Sequence, residues 1–425
     1  MLYLLMGSLF LLIVRPYEHF GILGDLHLER FYLITLLIVF AVSTRKKIRM
    51  DSVVVLYLMY FISLWICSLF GIDFYNSYST IYSYTTESIV FILMLFSIYD
   101  ERGYIKIIEA VMVITALYVL LSLREFLGGR FEYAMGMVRM KGFDNTYGQS
   151  NSFATTIVLS YPMLWLLLRT NFISKLVRYG LYSYIPISLL CLFETGSRGG
   201  FVQFVAFLGL LFLKSKRKFL YIVTTLVVFS VVWSFLPPEI HNRYYSLIDP
   251  SVAPSAKSAH EAAEGRIQGF KQGIAVWRQY PLLGVGPGNL IYTWSNTAKG
   301  LQAHNLVAQL LSDTGLLGTI PFVLLFSICY FRSNWIAAAG RKLVGEYSQY
   351  PDLTREARIV DFVSKAGVAI KQSIAVLFVA GLTGHNMLRY NWVYVVYLTA
   401  VGSWIMHRYI NMKLEDDESR RLQHA

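Results

Sequence analysis

The sequence predicts an all-α, polytopic membrane protein of about twelve transmembrane helices, with one long outer loop that carries an amphipathic helix. Three observations predict it. Of the 425 residues, 56% are hydrophobic and 15% are charged, against roughly 25% charged in a soluble domain. Apolar runs of membrane-spanning character recur from one end of the chain to the other. Basic residues gather in short connectors between those runs, as in STRKKIRM (43–50) and KSKRK (214–218). The net charge of +12 therefore reads as a positive-inside bias and not as a surface for nucleic acid.

The runs fall at 1–14, 31–43, 53–70, 86–99, 105–122, 152–168, 181–195, 200–213, 219–236, 306–331, 373–388 and 392–407. Several are shorter than the ~20 residues of a perpendicular span, so polar helix ends or tilt must supply the rest. No basic segment precedes the first run, which is expected to stay as the first span and not to act as a secretory signal. With 43–52 in the cytoplasm, alternation puts 99–104, 169–180, 214–218, 332–372 and the tail 408–425 there too, and these hold most of the Lys and Arg. Both termini then lie inside. The chain divides into nine spans over 1–236, the outer loop 237–305, three spans over 306–407, and a charged tail. Cys67, Cys191 and Cys329 each sit inside an apolar run without a CxxC partner and read as small buried hydrophobes.

The remaining connectors face outward and collect polar residues. In ETGSRGG (194–200), glycines ring Arg198 at the outer end of a tight helical hairpin. A guanidinium there suits phosphate, although an arginine snorkelling to headgroups explains the residue alone equally well. The loop 237–305 is far longer than an ordinary connection, a length associated with lids and sites. Within it EGRIQGFKQGIAVWRQYP (264–281) predicts a helix with Ile267, Phe270, Ile274 and Trp277 as one apolar stripe, flanked by Arg266, Lys271 and Arg278. Such a helix is expected to lie on the membrane surface or to cap a cavity.

PLLGVGPGNL (281–290) follows, a glycine-proline loop whose backbone amides are expected to be exposed and able to cradle an anion. His304 stands where the loop re-enters the membrane, a place suited to a general base and also to a hydrogen-bonded structural histidine. Asp313, nine residues on, falls on the opposite helical face and is not paired with it. GHNMLRY (384–390) adds His385 and Arg389 at a second corner, and RPYE (15–18) with GQSN (148–151) adds Arg15, a carboxylate and amides. No HExxH, CxxC pair or close DxD marks a metal site, and neither metal nor cofactor is expected. Several arginines with a histidine suit a phosphate-bearing, lipid-linked substrate whose leaving group is neutralised by guanidinium.

GSRGG, the Arg-bearing loop helix, PLLGVGPGN and AHN…TGLLG, in that order over about 185–320, resemble the bacterial O-antigen ligase and polymerase superfamily. The resemblance implies a GT-C-like architecture in the bacterial inner membrane and a metal-independent, inverting transfer at the periplasmic face. The implied donor is a glycan on undecaprenyl diphosphate and the implied acceptor is lipid A–core. It implies that Arg198 and Arg266 hold the diphosphate and that His304 acts as base or orients the acceptor hydroxyl. Gly286, Asn289, Asn305, Arg389 and Arg15 are further candidate substrate contacts. Family members often carry glutamate where Asp313 stands, which leaves the role of that position open. A polymerase of lipid-linked repeats and a transferase to protein share the same motifs. A transporter of lipid-linked sugar would instead place ionisable groups along a path through the bundle.

Overall fold

A computed structural model describes residues 1–43, 49–134, 136–246, 249, 256–294, 302–347 and 353–424. Six helices come first: α1 (Leu2–Ile13), α2 (Gly21–Asp25), α3 (Leu28–Val42), α4 (Ser52–Leu69), α5 (Phe74–Ser97) and α6 (Glu101–Leu127). A small antiparallel hairpin of β1 (Glu132–Ala134) and β2 (Met137–Arg139) follows, with Tyr133 opposite Val138. Then come α7 (Ser150–Leu168), α8 (Lys175–Glu194), α9 (Arg198–Lys214), α10 (Lys218–Ser234), α11 (Pro238–Tyr245) and α12 (Ala256–Gln279). The last three are α13 (Leu306–Tyr347), α14 (Thr354–Thr383) and α15 (Tyr390–His424). Among the described residues, seven helices are long and apolar enough to cross a membrane: α4 to α8, α13 and α14. The chain is thus an all-α, multi-pass membrane protein.

Helix starts are set by short polar side chains. Asp51 accepts from the amides of Val53 and Val54, Asp73 from Asn76, Asp100 from Gly103, and Ser174 from Val177. These caps lengthen several helices beyond their apolar runs. Helix α5 starts at Phe74, twelve residues before the run at 86–99, where Asp73 caps it; in its first turns Ser77, Ile81 and Tyr84 face inward while Tyr75, Tyr78 and Tyr82 are exposed. The region 332–372, expected to be a connector, is largely helix: α13 and α14 run on as a packed hairpin. Small residues permit it. A β-carbon on Gly340 would stand 2.5 Å from Ser364 Cβ, and one on Gly367 2.6 Å from the Ser333 carbonyl.

Hydrogen bonds lace the connections into two groups. At one end Arg332 of α13 pairs with Asp51, Trp404 Nε1 donates to Asp51 at 3.0 Å, and Arg408 reaches Glu101 at 3.2 Å. At the other end Asn145 donates its amide to Glu18 (2.7 Å), Ile72 to the Val285 carbonyl (2.9 Å), and Arg389 to the Ser152 carbonyl (3.0 Å).

Helix α13 is broken at Gly315, which has φ 55° and ψ −153°. A break inside an apolar helix strands carbonyls and amides that lipid cannot satisfy. The PLLGV segment satisfies them. Val285 and Gly286 donate to the carbonyls of Ser312 (2.8 Å) and Asp313 (3.0 Å), while Leu316 and Leu317 donate to those of Pro281 (2.8 Å) and Leu282 (2.9 Å). A β-carbon on Gly315 would overlap the Leu282 carbonyl and lie 2.7 Å from the Gly284 nitrogen. The kink is therefore clamped by the end of the long loop.

Helix α12 covers most of the helix expected at 264–281, and its glycine-bearing face docks on the protein. Ile267 and Phe270 of the predicted stripe are exposed. Gly269 and Gly273 lie instead against Gln302 and Ala308, and Val276 packs with Val285, Leu290, Ala303 and Ala308. Two glycines on one face let the backbones approach closely, and that closeness decides the docking face.

Candidate functional site

The site grows from the turn between α8 and α9. Gly196 takes φ 56°, Ser197 caps α9 by accepting from the Gly200 amide at 3.1 Å, and Arg198 becomes the first helical residue. The hairpin secures this turn: Met140 N donates to the Glu194 carbonyl at 2.9 Å, and Arg139 Nε to the Thr195 carbonyl at 2.8 Å. Asn151 Oδ1 accepts from both Arg139 Nη2 and Ser197 Oγ, each at 2.9 Å. Arg198 is thereby presented at a helix N-terminus, where the backbone dipole adds positive potential.

Three more arginines converge here. Arg243 of α11 is buried, with Nε 3.5 Å from the Gly196 carbonyl. Burial, and then the charges of Arg198, Arg139 and Arg266, pull its pKa down to about 10. Burial and the neighbouring Arg198 lower Arg266 as well. Burial lowers Arg139 most, Arg266 adds to that, and Glu132, 3.7 Å away, opposes it. Four guanidiniums from β2, α9, α11 and α12 thus share one field. Among the described residues Arg198 and Arg266 have no hydrogen-bond or ion-pair partner. Clustered cations desolvate and repel one another until a polyanion arrives to neutralise them.

His304 stands beside this cluster. Asn305 caps α13 by accepting from Val307 N (2.9 Å) and Ala308 N (3.3 Å), which places His304 just outside the helix at φ 45°. Non-glycine residues adopt that backbone region only when their surroundings enforce it. Its Nδ1 lies 3.4 Å from Nδ1 of His385, with ring centroids 5.2 Å apart. Burial and the charge of Arg266 hold its pKa below the usual histidine value, so the ring is neutral at neutral pH and free to take a proton.

The sequence-predicted Arg198, Arg266 and His304 are therefore brought together. Arg139 and Arg243 were missed: a lone basic residue in a connector carries no signal of its neighbours. Five other candidates are placed differently. Arg15 donates to Glu87 (2.9 Å), Glu18 (3.0 Å) and Thr146 (3.2 Å) and lies over the Tyr147 ring, so its fork is spent inside the protein. The expectation of exposed amides in PLLGVGPGN is corrected. Gly286 N is bonded to the α13 kink, and Gly288 N reaches Asp313 Oδ2 at 3.3 Å. Asn289 Nδ2 is taken by Asp73 O, Ser77 Oγ and Val285 O. Asn305 spends its side-chain oxygen on the cap. Arg389 is buried, donates to the Ser152 carbonyl and faces Tyr147 and His385. Among the described residues, no three His, Cys, Asp or Glu side chains come together as a metal site.

Residues 184–323, which contain Arg198, Arg243, Arg266 and His304, match the family described as O-antigen ligase. This segment is thus similar to the O-antigen ligase and polymerase superfamily, which supports a ligase- or polymerase-type function at a membrane. No curated protein matches the chain.

Proposed function

We propose that the chain is a membrane glycosyltransferase that moves a glycan from undecaprenyl diphosphate to lipid A–core at the periplasmic face of the bacterial inner membrane, by inversion and without a metal. The observation that carries this reading is the cluster of Arg139, Arg198, Arg243 and Arg266 beside a neutral His304, in which Arg198 and Arg266 have no ion-pair partner among the described residues. Arg198 and Arg266 bind the diphosphate, and their charge neutralises it as it leaves. Arg243 and Arg139 fix the field and the turn. His304 takes the proton of the acceptor hydroxyl while its oxygen attacks the anomeric carbon.

A second feature supports a polyprenyl carrier. An apolar cavity of ≈ 950 Å³ opens between α7, α8, α9 and α10 and is lined by Phe193, Phe201 and Phe229 among others. Phe193 and Phe201 also pack on Tyr244, the neighbour of Arg243, so the apolar wall and the cationic cluster adjoin. A lipid tail in that cavity would carry its diphosphate to the arginines. Transport is disfavoured, because the arginines gather with α11, α12 and the hairpin at one end of the bundle and do not follow a path through it.

The test uses purified protein in nanodiscs with EDTA, a radiolabelled undecaprenyl-diphosphate glycan and core lipopolysaccharide. Label on lipopolysaccharide is the expected result. Longer chains on undecaprenyl diphosphate would make the protein a polymerase of the same class. No transfer to either would refute the reading.

A further inference from the structure

Resting on the transferase reading above, we propose that His385 is a positioning residue for His304: it accepts the Nδ1–H of His304 and so selects the tautomer whose Nε2 lone pair takes the acceptor proton. The geometry leaves few choices. Two imidazoles meet Nδ1 to Nδ1 at 3.4 Å, so one must donate and the other accept. Donation from His385 would consume the Nδ1 lone pair of His304 and put a proton on its Nε2, leaving that ring without a basic nitrogen. Donation from His304 leaves Nε2 bare.

The backbone on either side of the pair is held by its neighbours. His304 is fixed by the Asn305 cap, and Asn305 Nδ2 also reaches the Leu382 carbonyl at 3.4 Å. The turn bearing His385 is pinned to three helices. Met387 N donates to Gln309 Oε1 of α13 (3.2 Å), Asn386 Nδ2 to the Leu377 carbonyl of α14 (2.8 Å), and Trp392 Nε1 of α15 to the Asn386 carbonyl (2.9 Å).

The step balances. The hydroxyl proton moves to His304 Nε2, the oxygen bonds to the anomeric carbon, and the bond from that carbon to the diphosphate oxygen breaks with its electron pair on the diphosphate. His304 is then an imidazolium. The charged groups facing the pair, Arg266 beside His304 and Arg389 beside His385, both oppose that charge. The His385 lone pair stabilises it through the Nδ1–H hydrogen bond.

The first test is ¹⁵N-histidine NMR of the full chain in nanodiscs, with signals assigned by single histidine variants. His304 should carry its proton on Nδ1, and a proton on Nε2 with bare Nδ1 would overturn the proposal. The second compares pH–rate profiles of His385→Leu and His385→Asn. Leucine cannot accept a hydrogen bond, so kcat should fall about tenfold with KM unchanged, a fraction of the ~10²–10⁴ that a positioned base supplies. The acidic limb should also move to lower pH, because the protonated form of His304 loses its acceptor. Asparagine offers a carbonyl oxygen and should restore most of the rate. Equal losses in both variants with an unmoved limb would reduce His385 to a structural residue. Absence of transfer by the unmodified protein would fail the transferase reading, while the NMR result would still decide the tautomer.

Discussion

Replacing Gly315 by alanine should strike the kink and the site together. At φ 55° and ψ −153° the backbone lies in a region that is essentially glycine-only, at a cost of about 1–3 kcal/mol for another residue. The new β-carbon would overlap the Leu282 carbonyl, and overpacking of this kind costs about 1–3 kcal/mol more. The expected destabilisation is therefore roughly 2–6 kcal/mol if the clamp persists. If it opens, the bonds of Val285, Gly286, Leu316 and Leu317 to their partners are lost instead. Either way α12, which leads into the clamping segment and carries Arg266, loses its anchor. The assay is thermal unfolding in detergent together with glycan transfer. Gly345→Ala is the control: nothing lies within 4 Å of its β-carbon position, and alanine in a helix interior gains about 0.5–1 kcal/mol. An unfolding midpoint for Gly315→Ala equal to that of the unmodified chain would refute the clamp.

Three further outcomes are expected. Arg198→Lys should lower transfer roughly 10²-fold with little change in stability, since an ammonium cannot reproduce the planar fork at the developing charge; kinetics with a phosphate-bearing donor check this. Arg15→Met should destabilise the fold by about 3–5 kcal/mol by leaving Glu87 buried without its cation, yet leave donor affinity unchanged in a binding titration. Because burial and Arg266 lower the pKa of His304, its neutral, active form dominates above that lowered value. The rate should hold as pH falls through 6.5, the ordinary histidine value, and be lost only at lower pH, which a pH–rate profile in His304 and His304→Ala proteins would reveal.

Much of this protein is determined by the sequence alone. Apolar runs too frequent for a soluble core dictate membrane helices, because transfer free energy is a local property of composition. Arg198, Arg266 and His304 were legible for a similar reason: each sits in a short motif with glycine, asparagine or an amphipathic pattern beside it. The tertiary structure alone decided which groups share a field. Arg139 lies 59 positions before Arg198 in the chain, and only the hairpin's bonds to Glu194 and Thr195 bring them together. Arg15 resembled a ligand residue until Glu18 and Glu87 closed on it, and the amides of PLLGVGPGN until the α13 kink consumed them. The docking of α12 through its glycine face was likewise decided by tertiary contact, since small residues let backbones approach closely. Hydropathy and motif are read one residue at a time, whereas charge, packing and hydrogen-bond satisfaction depend on partners that the chain brings together only when it folds.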